Sequence, residues 1–508
     1  MKFIKSIFFL LLTIFSFSQD KITWGEFEDQ KSSLNQIFAV SETSFFTTTS
    51  RPLPPLNIDS IVSLNFYENL KKTASGDIQL KIKEKQTKLE GVKLLNEQIH
   101  VFLSIIQGDE KILYLQKYDK SCKVNGELIE FSKYIIPNKL TRKGDFSIVV
   151  SANEEFFAVL AELPGTKKEN DKIIHFVYDK KLQLISKGEN FLTNPSDKIK
   201  AFQSYITNEG KLFIVSKYFK FSKGLKFSTE EQLVEKIVLN ELKQNEISTL
   251  DFKLDSAAYF TSFTINESKS NLEMAGVYSY IKDGNSHGFF NFSYDFENKN
   301  QTMKFVEFKT DKLKSLWNRL LSSEEKIQFI YQIKNLNLLD DGSKLLSFEQ
   351  VYRRIDQADM NGGISAISYF YNDILSYKLS DKNELLWESK IDKYQKSKND
   401  DGPFSSFMTY RDKDKIIYLF NDNLGNYDMQ GVFFQCQAAT DFTLNSYGFA
   451  QVEIDILTGK QNRKLIYKKN DIGGLVKPKK SFYSPKIQGL KFYCNFNFKE
   501  KFGNLKIQ

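Results

Sequence analysis

Short stretches in which apolar and polar residues alternate run along the whole chain, and each is followed by a turn rich in Asp, Asn, Gly or Lys. Alternation with a period of two is typical of a β-strand that buries one face, and about five residues is a usual strand length. Long helical patterns are almost missing, so the chain is predicted to be all-β. The clearest predicted strands are 99–103, 112–115, 156–160, 212–215 and 416–420.

A second regularity is a strand that ends at an aromatic or aliphatic residue, followed by a polar turn that usually carries Asp or Asn, and by another strand. A four-stranded sheet that recurs in this way cannot bury both of its faces alone, so several are expected to pack around one axis. The prediction is a β-propeller of about seven four-stranded blades, with six or eight left open. The turn recurs at 66–69, 117–120, 177–180, 239–242, 293–296, 378–381 and 453–456.

The predicted propeller domain covers residues 19–508. In a closed ring the two ends should meet, so the C-terminal strand 490–498 and the N-terminal segment 22–27 are expected to complete one blade together. The alternative is two or more β-sandwich domains in series, but the one proline cluster lies near the start, at 52–55, and no linker-like stretch divides the rest. Apolar residues at helical spacing predict one short inserted amphipathic helix at 311–321, packed against the propeller.

Residues 1–18 have the features of a signal peptide. Two lysines precede an apolar run at 7–15, and the small residues Ser16 and Ser18 precede a cleavage site that would leave Gln19 at the new N-terminus. The run is too short to span a bilayer as a helix. The protein is therefore predicted to be exported to the periplasm, the outer-membrane surface or the medium, with no integral membrane span after cleavage.

Charge and cysteine content narrow the functional classes. The net charge is +8, and the 71 basic residues are interleaved with 63 acidic ones, which indicates a solvated surface and no nucleic-acid partner. Three cysteines, Cys122, Cys436 and Cys494, allow at most one disulfide, and each is expected to act as a small buried hydrophobic residue.

Motifs for common enzymatic chemistry are missing from the sequence. Nucleophilic catalysis needs a nucleophile, a base and an orienting acid, and bases are scarce: His100 and His175 lie in predicted strands and His287 in a predicted turn. No Gly-x-Ser-x-Gly, His-Glu-x-x-His, paired Cys-x-x-Cys or phosphate-binding glycine loop occurs. The sequence thus predicts no cofactor, no metal and no catalytic residue.

Carboxylates are plentiful, and a working carboxylate pair is defined by distance in space rather than by spacing in sequence. The candidates for a binding or acid pair are Asp340, Asp341, Glu349, Asp356 and Asp359. The composition of 340–342 is equally that of a tight turn. Two oxygen-rich loops, 356–362 and 421–428, have ligands that suit calcium, although Asx-turns account for both with fewer assumptions.

The C-terminal half carries a succession of segments that is similar to a known group. The segments are 341–350, 372–375, 387–395, 405–407 and 421–423. In this order they resemble uncharacterised secreted proteins of Bacteroidetes whose chains are propeller-like. The resemblance covers residues 325–430. It implies export and a propeller architecture, and it supplies no activity and no catalytic residues.

Two hypotheses of function follow. The first is a non-enzymatic binding or scaffold propeller at the periplasm or cell surface that engages a protein or glycan ligand. The second is a secreted hydrolase or lyase that acts on polysaccharide or peptide through carboxylates at the central channel. Convergence of Asp341, Glu349, Asp356 and Asp359 would favour the enzyme, and dispersal would favour the scaffold.

Overall fold

The computed structural model describes residues 22–507, apart from 53–59, 83, 137–143, 166–167, 220–233, 254–257, 269, 281–284, 310–329, 357–365, 441 and 443–445. The predicted signal peptide and the predicted helix at 311–321 lie outside the described residues. Within them, strands are interrupted only by a four-residue α-helix and two single-turn 3₁₀ segments. These are Lys469–Ile472, Leu424–Asn426 and Pro478–Lys480. No helix in this part of the chain has the length and apolar character to cross a membrane.

The strands form consecutive four-stranded antiparallel sheets, numbered in chain order. Two short strands come first, β1 (Thr23–Trp24) and β2 (Glu28–Asp29). Sheet 1 contains β3 (Ser33–Ala39), β4 (Ser44–Pro52), β5 (Ser60–Glu68) and β6 (Lys71–Asp77), and the pair β7 (Lys81–Ile82) and β8 (Lys85–Gln86) follows it. Sheet 2 contains β9 (Lys88–Leu95), β10 (Gln98–Gln107), β11 (Glu110–Tyr118) and β12 (Ile129–Ile135).

Sheets 3 to 5 repeat this arrangement. Sheet 3 contains β13 (Asp145–Val150), β14 (Phe156–Leu163), β15 (Asn170–Asp179) and β16 (Leu184–Pro195). Sheet 4 contains β17 (Ile199–Ile206), β18 (Leu212–Phe219), β19 (Val234–Lys243) and β20 (Glu246–Lys253). Sheet 5 contains β21 (Ala258–Glu267), β22 (Asn271–Tyr280), β23 (Ser286–Asp295) and β24 (Gln301–Glu307), and one residue pair links it to sheet 4.

Sheets 6 to 8 carry additions. Sheet 6 contains β25 (Tyr331–Leu338), β26 (Lys344–Asp356), β27 (Ala366–Leu379) and β28 (Leu385–Ile391), with β29 (Gln395–Lys398) on the extended part of β27. Sheet 7 contains β30 (Met408–Asp412) and β31 (Lys415–Asn423), and, after the short strand β32 (Ala439–Thr440), β33 (Tyr447–Asp455) and β34 (Gln461–Lys468). Sheet 8 contains β35 (Leu475–Val476), β36 (Phe482–Ser484), β37 (Gly489–Phe496) and β38 (Lys499–Lys506), joined by β1 and β2.

Packing between sheets closes them into a ring. Each consecutive pair, from sheets 1 and 2 to sheets 7 and 8, shares one hydrophobic cluster. A further cluster joins sheet 8 back to sheet 1. Because side chains alternate along a strand, Phe45 and Phe46 of β4 point to opposite neighbours, the first toward sheet 8 and the second toward sheet 2. The fold is a β-propeller.

The two ends of the chain complete sheet 8 together, as predicted. Thr23 and Trp24 pair with Asn504 and Gly503, so β1 lies directly beside β38 and one strand away from β37. A Cβ atom at Gly503 would lie 2.7 Å from the Trp24 ring, so only glycine lets the N-terminal strand approach this closely.

The described residues contain eight sheets, one more than the expected number of about seven. Six of the predicted turns join the third and fourth strands of a sheet, and the copy at 239–242 lies within the third strand of sheet 4, just before the corresponding turn. Sheet 8 has no such turn because its third strand, β38, is the last strand of the chain and its fourth comes from the N-terminus. The eighth repeat therefore leaves no such signal in the sequence.

The three cysteines are buried and unpaired, as expected for small hydrophobic residues. Burial raises the pKa of the Cys122 and Cys494 thiols to about 12, so both are protonated at neutral pH.

Candidate functional site

The predicted carboxylates are dispersed along sheet 6. Asp341 lies in the exposed turn between β25 and β26, where it accepts hydrogen bonds from the Ser343 hydroxyl at 2.5 Å and the Ser343 amide at 2.9 Å. These bonds lower the pKa of Asp341. Asp356 ends β26, whose 13 residues span about 40 Å and hold it far from Asp341. Asp359 lies outside the described residues.

Glu349 lies in the middle of β26 and is fully buried. Its Oε1 atom is 2.9 Å from the Lys393 ammonium, and its Oε2 atom accepts a hydrogen bond from the Ser406 hydroxyl at 2.7 Å. Lys393 also donates to the Tyr371 carbonyl at 2.7 Å and to the Gln395 side chain at 3.0 Å. All three ammonium protons and both carboxylate oxygens are thus engaged.

Burial alone would raise the pKa of Glu349, but the charges of Lys393 and Lys334 and the Ser406 hydrogen bond outweigh it and lower that pKa. The carboxylate therefore stays ionised, and each of its oxygens is bonded to a partner inside the protein. Glu349 binds the segment around Lys393 to sheet 6, which is a structural role.

The oxygen-rich loop 421–428, for which an Asx-turn is the simpler interpretation, is closed by internal bonds. Asp422 is buried and pairs with Arg463, while its carboxylate also accepts from the Tyr427 hydroxyl at 2.5 Å and the Asn426 amide at 2.8 Å. Its oxygens are used by the protein itself. Across the part of the chain that the structure describes, no group of three His, Cys, Asp or Glu side chains is arranged to hold a metal ion.

Two of the three histidines are buried within strands. His100 and His175 lie in β10 and β15, as predicted, and burial lowers the pKa of each to about 4. Neither ring nitrogen of His175 has a hydrogen-bond partner among the described residues. His287, which was expected in a turn, is the second residue of β23. His100 and His175 are neutral at pH 7 and serve as packing residues.

A polar cleft lies where the ring closes, between sheet 8 and sheet 1; it is called the closing cleft below. Its volume is about 450 Å³, within the roughly 300–1,000 Å³ usual for small-ligand sites. Every lining residue is polar or charged. They are Glu28, Asp29, Lys31, Ser32, Thr49, Arg51, Ser63, Asn65, Lys72, Ser75, Asp77 and Glu500.

The cleft exists because the sheet 8–sheet 1 interface is apolar over only half of its extent. On sheet 1, Phe45 pairs with Tyr67 across neighbouring strands, and both rings pack against Phe502 of β38. Farther along the same face, two rows of polar side chains replace the apolar ones. The rows are Thr47–Asn65–Ser75 and Thr49–Ser63–Asp77.

Hydrogen bonds fix the polar side chains of these rows. The Asn65 amide nitrogen donates to Thr47 at 3.3 Å and to Thr49 at 3.4 Å, and the Asn65 amide oxygen accepts from Ser75 at 2.8 Å. Ser63 donates to Asp77 at 2.6 Å. Asn65 is therefore a positioning residue that orients three hydroxyl groups on rigid strands.

Two carboxylates face this surface from sheet 8. Glu28 of β2 and Glu500 of β38 are direct cross-strand partners. Lys72 forms an ion pair with Glu28 at 2.5 Å, and the Tyr493 hydroxyl donates to Glu500 at 2.6 Å. Burial raises the pKa of Glu500 in spite of that hydrogen bond. The two acids thus occupy different environments although they are neighbours.

The comparisons with known proteins concern the fold. No family model matches the chain, and no curated protein matches it in sequence. Among solved structures, the Dos1 propeller is 8% identical, with a TM-score of 0.46 and 96% of each chain covered. The polysaccharide lyase Uly1 is 10% identical, with a TM-score of 0.40 over 85% of this chain and 94% of that one. A protein of unknown function from Bacteroides caccae is 10% identical, with a TM-score of 0.27 over 65% and 90%.

Proposed function

We propose that this protein is an exported, non-enzymatic β-propeller that binds a protein or glycan ligand at the periplasm or cell surface. The observation that carries the proposal is that the carboxylates singled out in the sequence are bonded to groups within the protein. The oxygens of Glu349 and Asp422 are occupied by partners within the protein, and Asp341 closes a turn. A catalytic acid or base needs a carboxylate oxygen that is directed at substrate, whereas both oxygens of Glu349 and of Asp422 are bonded to partners inside the protein.

Export is supported by the sequence of residues 1–18, with its lysines, apolar run and small residues before Gln19. A rigid ring closed by contact between its two ends suits a binding role, because a stiff scaffold presents its surfaces in one arrangement. Affinity then requires little ordering of the protein when a ligand binds.

The second candidate function is carboxylate-dependent hydrolysis or elimination, and one observation favours it. Glu28 and Glu500 lie opposite each other at the closing cleft, and the pKa of Glu500 is raised. A carboxylic acid of raised pKa beside a second carboxyl group is typical of glycosidases.

One experiment distinguishes the binding function from the enzymatic function. Exported protein is purified from the periplasm or medium and incubated with a panel of polysaccharides, and bound material and released fragments are measured on the same samples. Retention of a polysaccharide without fragment release supports the binding proposal. Fragment release that disappears in Glu500→Gln contradicts it and supports the enzyme.

A further inference from the structure

We infer that the closing cleft binds a segment of a carbohydrate chain, an inference that rests on the proposed function as a binding propeller. The cleft is assembled from both ends of the chain, because β2 and β38 supply one wall and the middle and outer strands of sheet 1 supply the other. It therefore exists only in the closed ring.

The lining selects the chemical class of the ligand. All of its side chains end in polar or charged groups, which disfavours an apolar molecule or the hydrophobic side chains of a peptide. The lining acids, Glu28, Asp29, Asp77 and Glu500, outnumber the three cations, which disfavours a phosphate backbone. A ligand that is polar over its whole surface and rich in hydroxyl groups remains.

The hydrogen-bond donors and acceptors that remain unused in the polar rows match such a ligand. The Thr49 oxygen accepts from Asn65 and keeps its own proton to donate. Ser75 gives its proton to Asn65 and keeps its lone pairs. Asp77 accepts from Ser63 through Oδ1 and keeps Oδ2. Donors and acceptors thus alternate along one surface, and each sugar hydroxyl both donates and accepts.

The same hydrogen bonds reduce the conformational entropy that is lost when a ligand binds. Thr47, Thr49 and Ser75 are held by Asn65 before any ligand arrives. The two threonines stand on an interior strand of sheet 1, and Ser75 stands on its outer strand. Little side-chain freedom is left to lose when the ligand binds. A loosely held set of surface hydroxyls would not have this advantage.

The test uses the mature chain and isothermal titration calorimetry with soluble hexasaccharides of glucan, xylan, mannan, chitin and galacturonan. The wild type is expected to bind at least one of them. Thr49→Val and Ser75→Ala each remove one contact and should weaken that binding about tenfold. The matched control is Thr48→Val, because Thr48 is the neighbouring buried threonine of β4 and pairs with Leu64 on the face toward sheet 2. It should change the affinity less than about twofold.

Circular dichroism and the melting temperature establish that each variant is folded. Failure of the wild type to bind any of the five hexasaccharides overturns the inference. Equal binding by wild type, Thr49→Val and Ser75→Ala also overturns it, while leaving the proposed binding function in place. Release of shorter sugars during the titration contradicts the proposed non-enzymatic function. If Thr49→Val and Ser75→Ala abolish that release, the closing cleft is still the carbohydrate-binding site.

Discussion

Replacing Glu349 by glutamine tests whether the buried ion pair of sheet 6 is structural. Glutamine has the same shape and can still accept the Lys393 hydrogen bond, so the substitution chiefly removes the negative charge. Lys393 is then left fully buried without its counter-ion. Breaking one side of a buried pair typically costs about 3–5 kcal/mol, and we expect a loss of that size in the free energy of unfolding.

The measurement is urea unfolding at pH 7.5, followed by tryptophan fluorescence. A surface pair gives the matched control: Glu110→Gln disrupts the exposed contact with Lys133 and should cost less than about 1 kcal/mol. The double variant Glu349→Gln/Lys393→Met removes both charges and should recover most of the loss. If Glu349→Gln costs no more than Glu110→Gln, the reasoning about a saturated structural network is refuted.

Three further predictions concern protonation, ring closure and export. Because the pKa of His175 is about 4 in the folded protein and about 6.5 when unfolded, the unfolded state binds more protons between these values and stability falls as the pH drops through this window. In urea unfolding, the free energy of unfolding of His175→Leu relative to the wild type should therefore rise by about 2 kcal/mol from pH 7.5 to pH 5. A difference that does not depend on pH would contradict the lowered pKa of His175. Gly503→Ala should destabilise the protein by about 1–3 kcal/mol because its Cβ meets the Trp24 ring, whereas Gly91→Ala, with no heavy atom nearer than 3.5 Å, should cost less in the same assay. Mass spectrometry of the exported protein should find Gln19 at the N-terminus, and an intact Met1 would contradict the predicted cleavage.

The propeller could be predicted because its signals are local. Alternation marks each strand, and a strand of this kind needs a neighbour on each face, so repetition of the pattern indicates sheets packed around an axis. The predicted strands at 99–103 and 416–420 lie within β10 and β31. The eighth sheet lacks the repeated turn because its strands come from the two ends of the chain, where β1 supplies only two residues, although the sequence predicts that these ends complete one blade together.

The closing cleft could not be predicted, and the reason is distance in sequence. Glu28 and Glu500 become neighbours only when the ring closes. The one local signal is the run Thr47–Thr48–Thr49 inside a strand, where an interior strand would normally alternate with apolar residues. The charge of Glu349 makes it a candidate in the sequence, but a sequence does not reveal that Lys393 and Ser406 occupy both of its oxygens.

The interface that holds the closing cleft differs from the others in how the chain connects its sheets. Within the other interfaces the chain runs continuously from one sheet to the next, whereas sheets 8 and 1 are joined through strands from opposite ends. The apolar cluster between them has six fully buried members, Leu34, Ile37, Phe45, Tyr67, Tyr493 and Phe502. Their aromatic rings pack together in one part of the interface, and hydroxyl, amide and carboxylate groups line the closing cleft in the other part. Ring closure and the closing cleft thus share one interface, so a substitution in its apolar part should disturb the cleft as well.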